Sequence, residues 1–388
     1  MSPSEHSAAT DRTAPTAGAY GSNADGPAPG ARRGGTRLRT SPWGAASAGI
    51  WIGTAALFLL SWILEPQSVS HSSLLGMLPF AAILAIAAIG QTLVVQQGGI
   101  DLSVPGVISS TVVIMTRYPD GDSSKVLVAL VLAFAVALAA GAVSGILVSW
   151  VRVTPIVATL GMNALLYGAV LQISGGTPRT TTARLHNFAS GKAFLGIPNT
   201  VIIAVVLTAV VAFLIKKTVV GRRFEAVGAG VIGARAAGLE ARRYQLGAYV
   251  GATALYCAAG VLLAGVVSTP SAFQGDSYLL PSVAAVVLGG TSLLGGRGSV
   301  VASAVAALFI SQLDQFVLTT GAKDAVQNLV EAAALAAGIA IYSVPWRRVF
   351  EWSRRARHDG QDGISAATEV SRVGRGNQGA QFAPGPNK

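Results

Sequence analysis

The feature that most constrains this chain is a series of stretches, each about 20 residues long, that contain no charged side chain. A helix of about 20 residues is long enough to cross the ~30 Å hydrocarbon core of a bilayer. Charged residues make up 12% of the chain, whereas a soluble domain carries about 25%. The sequence therefore predicts an all-α integral membrane protein.

The apolar stretches predict about ten transmembrane helices. Two of them, 98–116 and 279–296, contain clusters of glycine with proline or serine, so we expect broken or short helices there. Irregular backbone is tolerated at membrane depth where protein or a water-filled cavity satisfies it. The expected spans are 43–64, 74–95, 98–116, 125–150, 153–174, 198–215, 245–268, 279–296, 299–318 and 325–345.

The two ends of the chain differ from this membrane domain. Residues 1–41 are rich in Ser, Ala, Gly, Pro and Thr, and residues 347–388 are basic and then rich in Gly, Gln, Pro and Asn. Segments of this composition bury too little apolar surface to fold. We therefore predict a membrane domain over 42–346 between two disordered cytoplasmic tails.

The net charge of +11 is explained by topology. Lys and Arg are enriched in the cytoplasmic loops of membrane proteins. If both termini lie in the cytoplasm, all of the 28 Lys and Arg residues fall inside except Arg117, Lys125, Arg179, Arg184, Lys192 and Lys323. The sequence thus predicts a multi-pass protein of the cytoplasmic membrane that contacts lipid headgroups, and it does not predict a nucleic-acid partner.

Polar residues in the segment 90–106 and in the fifth span are candidates for a translocation path. Ionisable residues at membrane depth are costly and usually face a cavity or a partner, and Asp101 is one of very few here. Glutamine side chains offer both hydrogen-bond donors and acceptors to solute hydroxyls. The residues that we expect to line a path are Gln91, Gln96, Asp101, Ser103 and Asn163.

A structural role explains the same residues equally well. Asp101 or Ser103 could cap the helix that starts at Val104, with Pro105 in its first turn. Asn163 could form an interhelical hydrogen bond, which is the default role of a polar residue inside a membrane helix. The residue types leave both roles open.

The longest predicted cytoplasmic loop between spans is 216–243. Within it, Ile232–Leu239 is short, rich in alanine and flanked by glycines, so we expect a short helix that could dock into a partner protein. The alternative is an ordinary basic loop, and residue types alone favour that alternative.

The sequence gives no sign of catalysis. The glycine-rich segment 275–299 has no Lys-Ser or Lys-Thr after its glycines, so the chain carries no recognisable P-loop for ATP. Cys257 has no companion ligands, and the histidines are scattered without metal spacing. We expect no enzyme activity, no metal and no cofactor in this chain.

Four segments, in the same order along the chain, resemble the ribose/xylose/galactose-type permeases of ABC sugar importers. The first joins Gly90-Gln91-Thr92-Leu93-Val94 to Gly98-Gly99-Ile100-Asp101-Leu102-Ser103, and the second is Thr154–Gly161. The third runs from Gly221-Arg222-Arg223 to Gly238-Leu239, and the fourth is Gly289-Gly290-Thr291-Ser292-Leu293 with Gly295–Ser299. A single glycine motif would be weak, but four in order are specific.

The resemblance implies a ten-span permease that works by alternating access as a homo- or heterodimer. Its partners would be a cytoplasmic ABC ATPase, possibly tandem, that binds ATP and Mg, and an extracytoplasmic solute-binding protein. The solute would be monosaccharide-like. The 221–243 loop would contact the ATPase, and the matching coupling residues are Arg222, Arg223, Glu225, Gly228, Ala234 and Gly238.

The sequence departs from the family pattern at Pro105, Gly230, Ala237 and Glu331. The expected path residues do not exclude a related permease for branched-chain amino acids, nucleosides or a signalling furanose, which remains an alternative. A secondary carrier driven by a coupling ion is a second alternative, and a membrane enzyme or scaffold is a third.

Overall fold

The computed structural model describes residues 42–177, 179–193 and 196–321 and the single positions 329, 332, 333 and 336, with side chains from residue 49 onward. Across these residues every regular element is a helix, apart from one isolated bridge between Lys192 and Pro198. The predicted all-α fold is therefore confirmed. Residues 1–41 and 347–388, predicted to be tails, lie outside the described residues.

The described helices follow one another with short connections. Turns of 3-10 helix occur at Pro66–Val69, Ser123–Lys125 and Asp276–Tyr278, and a π-helical turn occurs at Leu147–Val151. The α-helices are α1 Pro42–Leu64, α2 His71–Gln96, α3 Val104–Arg117, α4 Val126–Ile146, α5 Pro155–Ser174, α6 Ala183–Ala189, α7 Asn199–Lys217, α8 Val219–Ala229, α9 Val231–Ala236, α10 Ala241–Val266, α11 Leu279–Leu288 and α12 Val300–Thr319.

Six of the described helices are long and apolar enough to cross a membrane: α2, α4 with its flanking turns, α5, α7, α10 and α12. Three shorter apolar segments accompany them: Gly49–Leu64 within α1, Val104–Arg117 (α3) and Asp276–Leu288, which includes α11. The short helices predicted within 98–116 and 279–296 are confirmed, because α3 has 14 residues and α11 has 10. Most of the predicted span 325–345 lies outside the described residues, so a count of about ten spans stays a prediction.

Helices α2 and α10 form the centre of the bundle. Within their most apolar windows, 61% of α2 and 67% of α10 is buried, compared with 17% of α7. Helix α10 packs against α2, α3 and α4, and α2 packs against α7, α11 and α12. The outer helices carry exposed large apolar side chains, as expected for surfaces that face lipid.

A stripe of small residues explains how α4 packs on α10. Every fourth residue of α4 is small and buried, from Ala129 through Ala133, Ala137 and Gly141 to Gly145. A methyl group added at Gly141 would overlap the Thr253 hydroxyl of α10 and would lie 2.9 Å from the Tyr249 carbonyl oxygen. The two backbones therefore touch, which is how helices associate where the hydrophobic effect does not drive them together.

Four connections meet at one end of the bundle, which we call the basic end: 97–103, 152–154, 218–240 and 289–299. The Gly296 N–H donates to the Gln96 carbonyl (2.8 Å), and Gly228 also lies against that carbonyl. The Leu102 N–H donates to the Thr159 hydroxyl of α5. The basic residues of this end include Arg152, Arg222, Arg223, Arg235, Arg242, Arg243 and Arg297. At the basic end, the segment 218–240, which contains α8 and α9, therefore packs against the last turn of α2.

Candidate functional site

Gln91 joins three elements near the basic end. The Tyr256 hydroxyl of α10 lies 2.8 Å from the Gln91 side-chain amide. In the amide orientation that satisfies every neighbour, Gln91 donates to Tyr256 Oη and to the Asp101 carbonyl (3.2 Å), and it accepts from the Asp101 N–H (3.2 Å). Gln91 is fully buried. It therefore ties α2, α10 and the connection between α2 and α3 together.

Asp101 closes a turn ahead of α3. Its Oδ1 accepts from the backbone N–H (2.8 Å) and the hydroxyl (2.6 Å) of Ser103. Ser103 occupies the N-cap position, but its hydroxyl does not bond to the first turn of α3, and Pro105 lies in that turn. Asp101 Oδ2 is buried and has no hydrogen-bond partner among the described residues. The predicted capping role thus takes the form of an Asx-type turn made by Asp101 rather than a cap made by Ser103.

Helix α5 supplies the hydrogen bonds that the start of α3 lacks. The Asn163 Oδ1 accepts from the Gly106 N–H (2.7 Å), and the Thr159 hydroxyl accepts from the Leu102 N–H (2.9 Å). The first N–H groups of a helix have no partner within the helix. Asn163 therefore acts as an interhelical cap, which is the second of the two roles that the sequence left open for it.

Replacement of Asn163 by alanine is expected to lower the free energy of unfolding by about 1–3 kcal/mol, because the buried Gly106 N–H loses its acceptor. Thermal unfolding of the purified protein in detergent measures this effect. Asn187→Ala is the matched control, since Asn187 is exposed on α6. Equal unfolding temperatures for the two variants would show that the Asn163 bond contributes no stability.

Gln96 occupies the last turn of α2 and is 1% exposed. Neither its side-chain oxygen nor its nitrogen has a hydrogen-bond partner among the described residues, and the nitrogen lies against Gly298. Gln91, Gln96, Asp101 and Ser103 are all buried at the same end of α2. Three of the five predicted path residues, Gln91, Asp101 and Ser103, are thus joined by hydrogen bonds, and Asn163 bonds to the start of α3 beside them. The Gln96 side chain faces Gly298 instead. The role of all five in a path stays a prediction.

Helix α8 is joined directly to the end of α2. The Gln97 side chain donates from Nε2 to the Phe224 carbonyl (2.9 Å). Gly228, in the last turn of α8, lies so close to α2 that an added Cβ would overlap the Gln96 carbonyl. At Gly295 an added Cβ would lie 2.8 Å from the Gly228 carbonyl. We call this contact of Gln96, Gln97, Gly228, Gly295 and Gly296 the glycine junction.

Helix α9 ends in a Schellman motif that requires glycine. Gly238 adopts φ +78°, its N–H donates to the Arg235 carbonyl (2.9 Å), and the Leu239 N–H donates to the Ala234 carbonyl (2.9 Å). Ala234 is buried with Val227 of α8. The helix predicted over Ile232–Leu239 is thus present as the shorter α9, and Ala234 and Gly238 hold its end against α8.

The remaining predicted coupling residues lie on α8. Arg222 and Arg223 are exposed. Glu225 accepts a salt bridge from Lys216 of α7 at 2.6 Å, with side chains that are 28% and 53% exposed. Such an ion pair is worth at most about 1 kcal/mol, so it contributes little to the packing of α8 on α7. The coupling role of the six predicted residues stays a prediction.

Sequence reasoning missed two exposed apolar side chains at the basic end. Ile232 of α9 is 87% exposed, and Leu294 in the 289–299 connection is 93% exposed. Among the described residues these are the most exposed large apolar side chains, and both lie in connections rather than on spanning helices. A branched apolar residue next to glycines in a basic loop was the available signal for Ile232.

Comparison with known proteins gives a consistent result. The profile of the family described as "Branched-chain amino acid transport system / permease component" matches residues 73–339. The chain is 30% identical over 288 residues to the ribose import permease protein RbsC of Escherichia coli (strain K12), covering 73% of this chain and 89% of that protein.

Two further relatives are of similar extent. The fructose import permease protein FruF of Bifidobacterium longum (strain NCC 2705) is 34% identical over 274 residues, covering 68% of this chain and 74% of that protein. The probable ABC transporter permease protein y4mJ of Sinorhizobium fredii (strain NBRC 101917 / NGR234) is 32% identical over 281 residues, covering 71% and 83%. No solved structure matches the chain. The family profile matches most of the residues from α2 to the end of the described region. The chain therefore belongs to this family of permease components, and it is a multi-pass inner-membrane permease of the ABC class.

Proposed function

We propose that this chain is the permease subunit of an ATP-driven importer that moves a monosaccharide-like solute across the cytoplasmic membrane. The observation that carries the proposal is the glycine junction, which joins α8 to the buried polar end of α2. The names of the relatives, ribose and fructose import permeases, support the solute class. The amide and hydroxyl groups of Gln91, Gln96 and Ser103 are suited to sugar hydroxyls.

The basic end lies in the cytoplasm in this proposal. Its connections and the helix ends that flank them carry nine of the 15 Lys and Arg residues of positions 42–346, and such residues are retained on the cytoplasmic side. With the basic end inside and an even number of crossings, both termini are cytoplasmic. This orientation places α8 and α9 where a soluble ATPase can reach them.

The proposed partner is a cytoplasmic ABC ATPase that docks on α8, α9 and the neighbouring 289–299 connection. Ile232 and Leu294 offer apolar contacts, and Arg222 and Arg223 offer charge, which together make a surface of the kind that proteins recognise. ATP and Mg bind the partner. Movement of α8 is transmitted through main-chain contacts at the glycine junction, because Gln96, Gly228 and Gly296 meet through their backbones.

The transport step is alternating access in a dimer of permeases, with an extracytoplasmic solute-binding protein delivering the solute. Gln91, Gln96, Asp101 and Ser103 are buried and therefore closed to solute in the conformation described. We propose that displacement of the end of α2 exposes this polar cluster to the path.

Purification of the tagged, full-length protein from its native membrane in mild detergent, followed by mass spectrometry, tests the proposal. We expect an ATPase with Walker motifs to co-purify with the wild-type chain and to be lost from the Ile232→Asp variant, because a buried charge at the contact is unfavourable. Gly233→Ala is the control, since Gly233 lies on the same short helix with open space around its Cβ position.

Recovery of the chain without an ATPase, under conditions that retain a known ABC complex from the same cells, would contradict the proposal. That result would favour an ion-coupled carrier, with Asp101 as the first residue to test because its Oδ2 is buried and has no partner among the described residues. If an ATPase and a binding protein are recovered, titration of that binding protein with ribose, fructose and leucine separates a sugar importer from a branched-chain amino acid importer.

A further inference from the structure

A cleft of about 820 Å³ opens between α7, α8 and α10 at the basic end. Its walls are apolar, with Val211, Leu214 and Ile215 from α7, Leu93 from α2 and Leu255 from α10. The cleft runs along α10 from Arg243 to Leu255, which is about 18 Å at 1.5 Å per residue. One leaflet of the hydrocarbon core is about 15 Å thick. The cleft is therefore as long as one leaflet is deep.

Two glycines leave the floor of the cleft open. Gly247 has no other atom within 4 Å of its Cβ position, and at Gly251 the sole neighbour is Leu93 Cδ1 at 3.3 Å. These residues are four apart and therefore lie on the same face of α10. Their missing side chains create an apolar trench that is open at Gly247 and is bounded by Leu93 at Gly251.

Charge is concentrated at the mouth of the cleft. The charged residues that line it are Arg223, Arg243 and Glu240, all near the basic end. Glu240 pairs with Arg243 at 2.6 Å, but both side chains are well exposed, at 64% and 75%. Arg223 forms no ion pair with another described residue. The mouth therefore carries a net positive charge and guanidinium donors that suit a phosphate group.

A second cleft among the described residues lacks this combination. It has a volume of about 450 Å³, lies between α1, α2, α7 and α12, and is lined by apolar residues with Thr208 as its polar exception. Without a cation at either end, this second cleft has no feature that selects one lipid from another.

We propose that the cleft between α7, α8 and α10 binds an anionic phospholipid, with an acyl chain in the Gly247–Gly251 trench and the phosphate beside Arg223 and Arg243. The proposal concerns a binding site separate from the buried end of α2 and is independent of the transported solute. Because the site is formed by α8, a bound lipid would also contact the helix to which we assign ATPase coupling.

Native mass spectrometry of the full-length protein, released from micelles that contain equal amounts of palmitoyl-oleoyl phosphatidylglycerol and phosphatidylcholine, tests the site. We expect one phosphatidylglycerol per chain to be retained, with about a fivefold preference over phosphatidylcholine for one net positive charge at the headgroup. Arg243→Gln is expected to abolish the preference, and Gly247→Leu is expected to abolish retention of either lipid because its side chain fills the trench.

Gly53→Leu is the matched control, since Gly53 of α1 also has open space around its Cβ position. Unfolding temperatures of all variants verify that each is folded. Equal retention of the two lipids by the wild-type protein, or equal retention by Gly247→Leu and Gly53→Leu, would overturn the proposal. Displacement of the phosphatidylglycerol by millimolar inorganic phosphate would also overturn it, because the site would then recognise an anion rather than a lipid.

Discussion

Replacing Gly228 by alanine is expected to reduce stimulated ATP hydrolysis of the assembled complex by at least about tenfold and to destabilise the permease by about 1–3 kcal/mol. The new methyl group would overlap the Gln96 carbonyl, and both groups belong to backbones that no rotamer change can move. Helix α8 would therefore separate from the end of α2. ATP hydrolysis by the reconstituted complex, with and without its solute-binding protein, measures the loss.

Gly233→Ala again serves as the control for the Gly228 variant, because Gly233 lies on α9 with open space around its Cβ position. Alanine is the better helix former by about 0.5–1 kcal/mol, so this control is expected to be as active as the wild-type protein and slightly more stable. Full stimulation of ATP hydrolysis in Gly228→Ala, at an unchanged unfolding temperature, would refute the transmission of movement through the glycine junction.

Two substitutions of Asp101 are expected to have opposite outcomes. Asp101→Ala removes the acceptor of the Ser103 N–H and hydroxyl, and leaving such buried groups unsatisfied costs about 1–3 kcal/mol. Asp101→Asn retains an oxygen in the place of Oδ1 and changes only Oδ2, the carboxylate oxygen that has no hydrogen-bond partner among the described residues. We therefore expect alanine to lower the unfolding temperature and stimulated ATP hydrolysis, and asparagine to preserve both.

The pair of variants separates the two roles that the sequence left open for Asp101. If asparagine preserves activity, the carboxylate acts as a hydrogen-bond acceptor in a turn and its charge is dispensable. A stable but inactive Asp101→Asn protein would contradict this expectation, because the negative charge itself would then be needed in the path. Ser124→Ala is the control in an exposed turn. The Ser124 N–H and hydroxyl donate to Asp122 Oδ1 outside the buried core, as those of Ser103 donate to Asp101 Oδ1 within it.

The spanning helices were predictable because their signal is local. A run of apolar residues indicates a membrane helix by length alone, and the glycine and proline clusters predicted the short helices α3 and α11. Helix α8 was missed because its charges resemble those of a loop. Its apolar residues Phe224 and Val227 are buried in the fold, so its stability comes from tertiary packing that its own residues do not reveal.

The candidate site was predictable as a set of residues but not as an arrangement. Gln91 and Asp101 stood out as polar groups within apolar sequence. Tyr256, which bonds to Gln91, lies 165 positions away and has no local feature that distinguishes it from other core aromatic residues. The contact of Gly228 with Gln96 was likewise not predictable, because it depends on how closely two backbones approach.

The small-residue stripe of α4 has a consequence for the entropy of the folded protein. Alanine and glycine have no side-chain rotamers to lose, so the α4 side of the contact with α10 forms without a side-chain entropy penalty. A leucine or methionine at Ala133 or Ala137 would lose rotamer freedom as well as push the helices apart. A close fit, with no side-chain entropy lost on the α4 side, thus holds this interface, where lipid offers apolar side chains as good an environment as a neighbouring helix does.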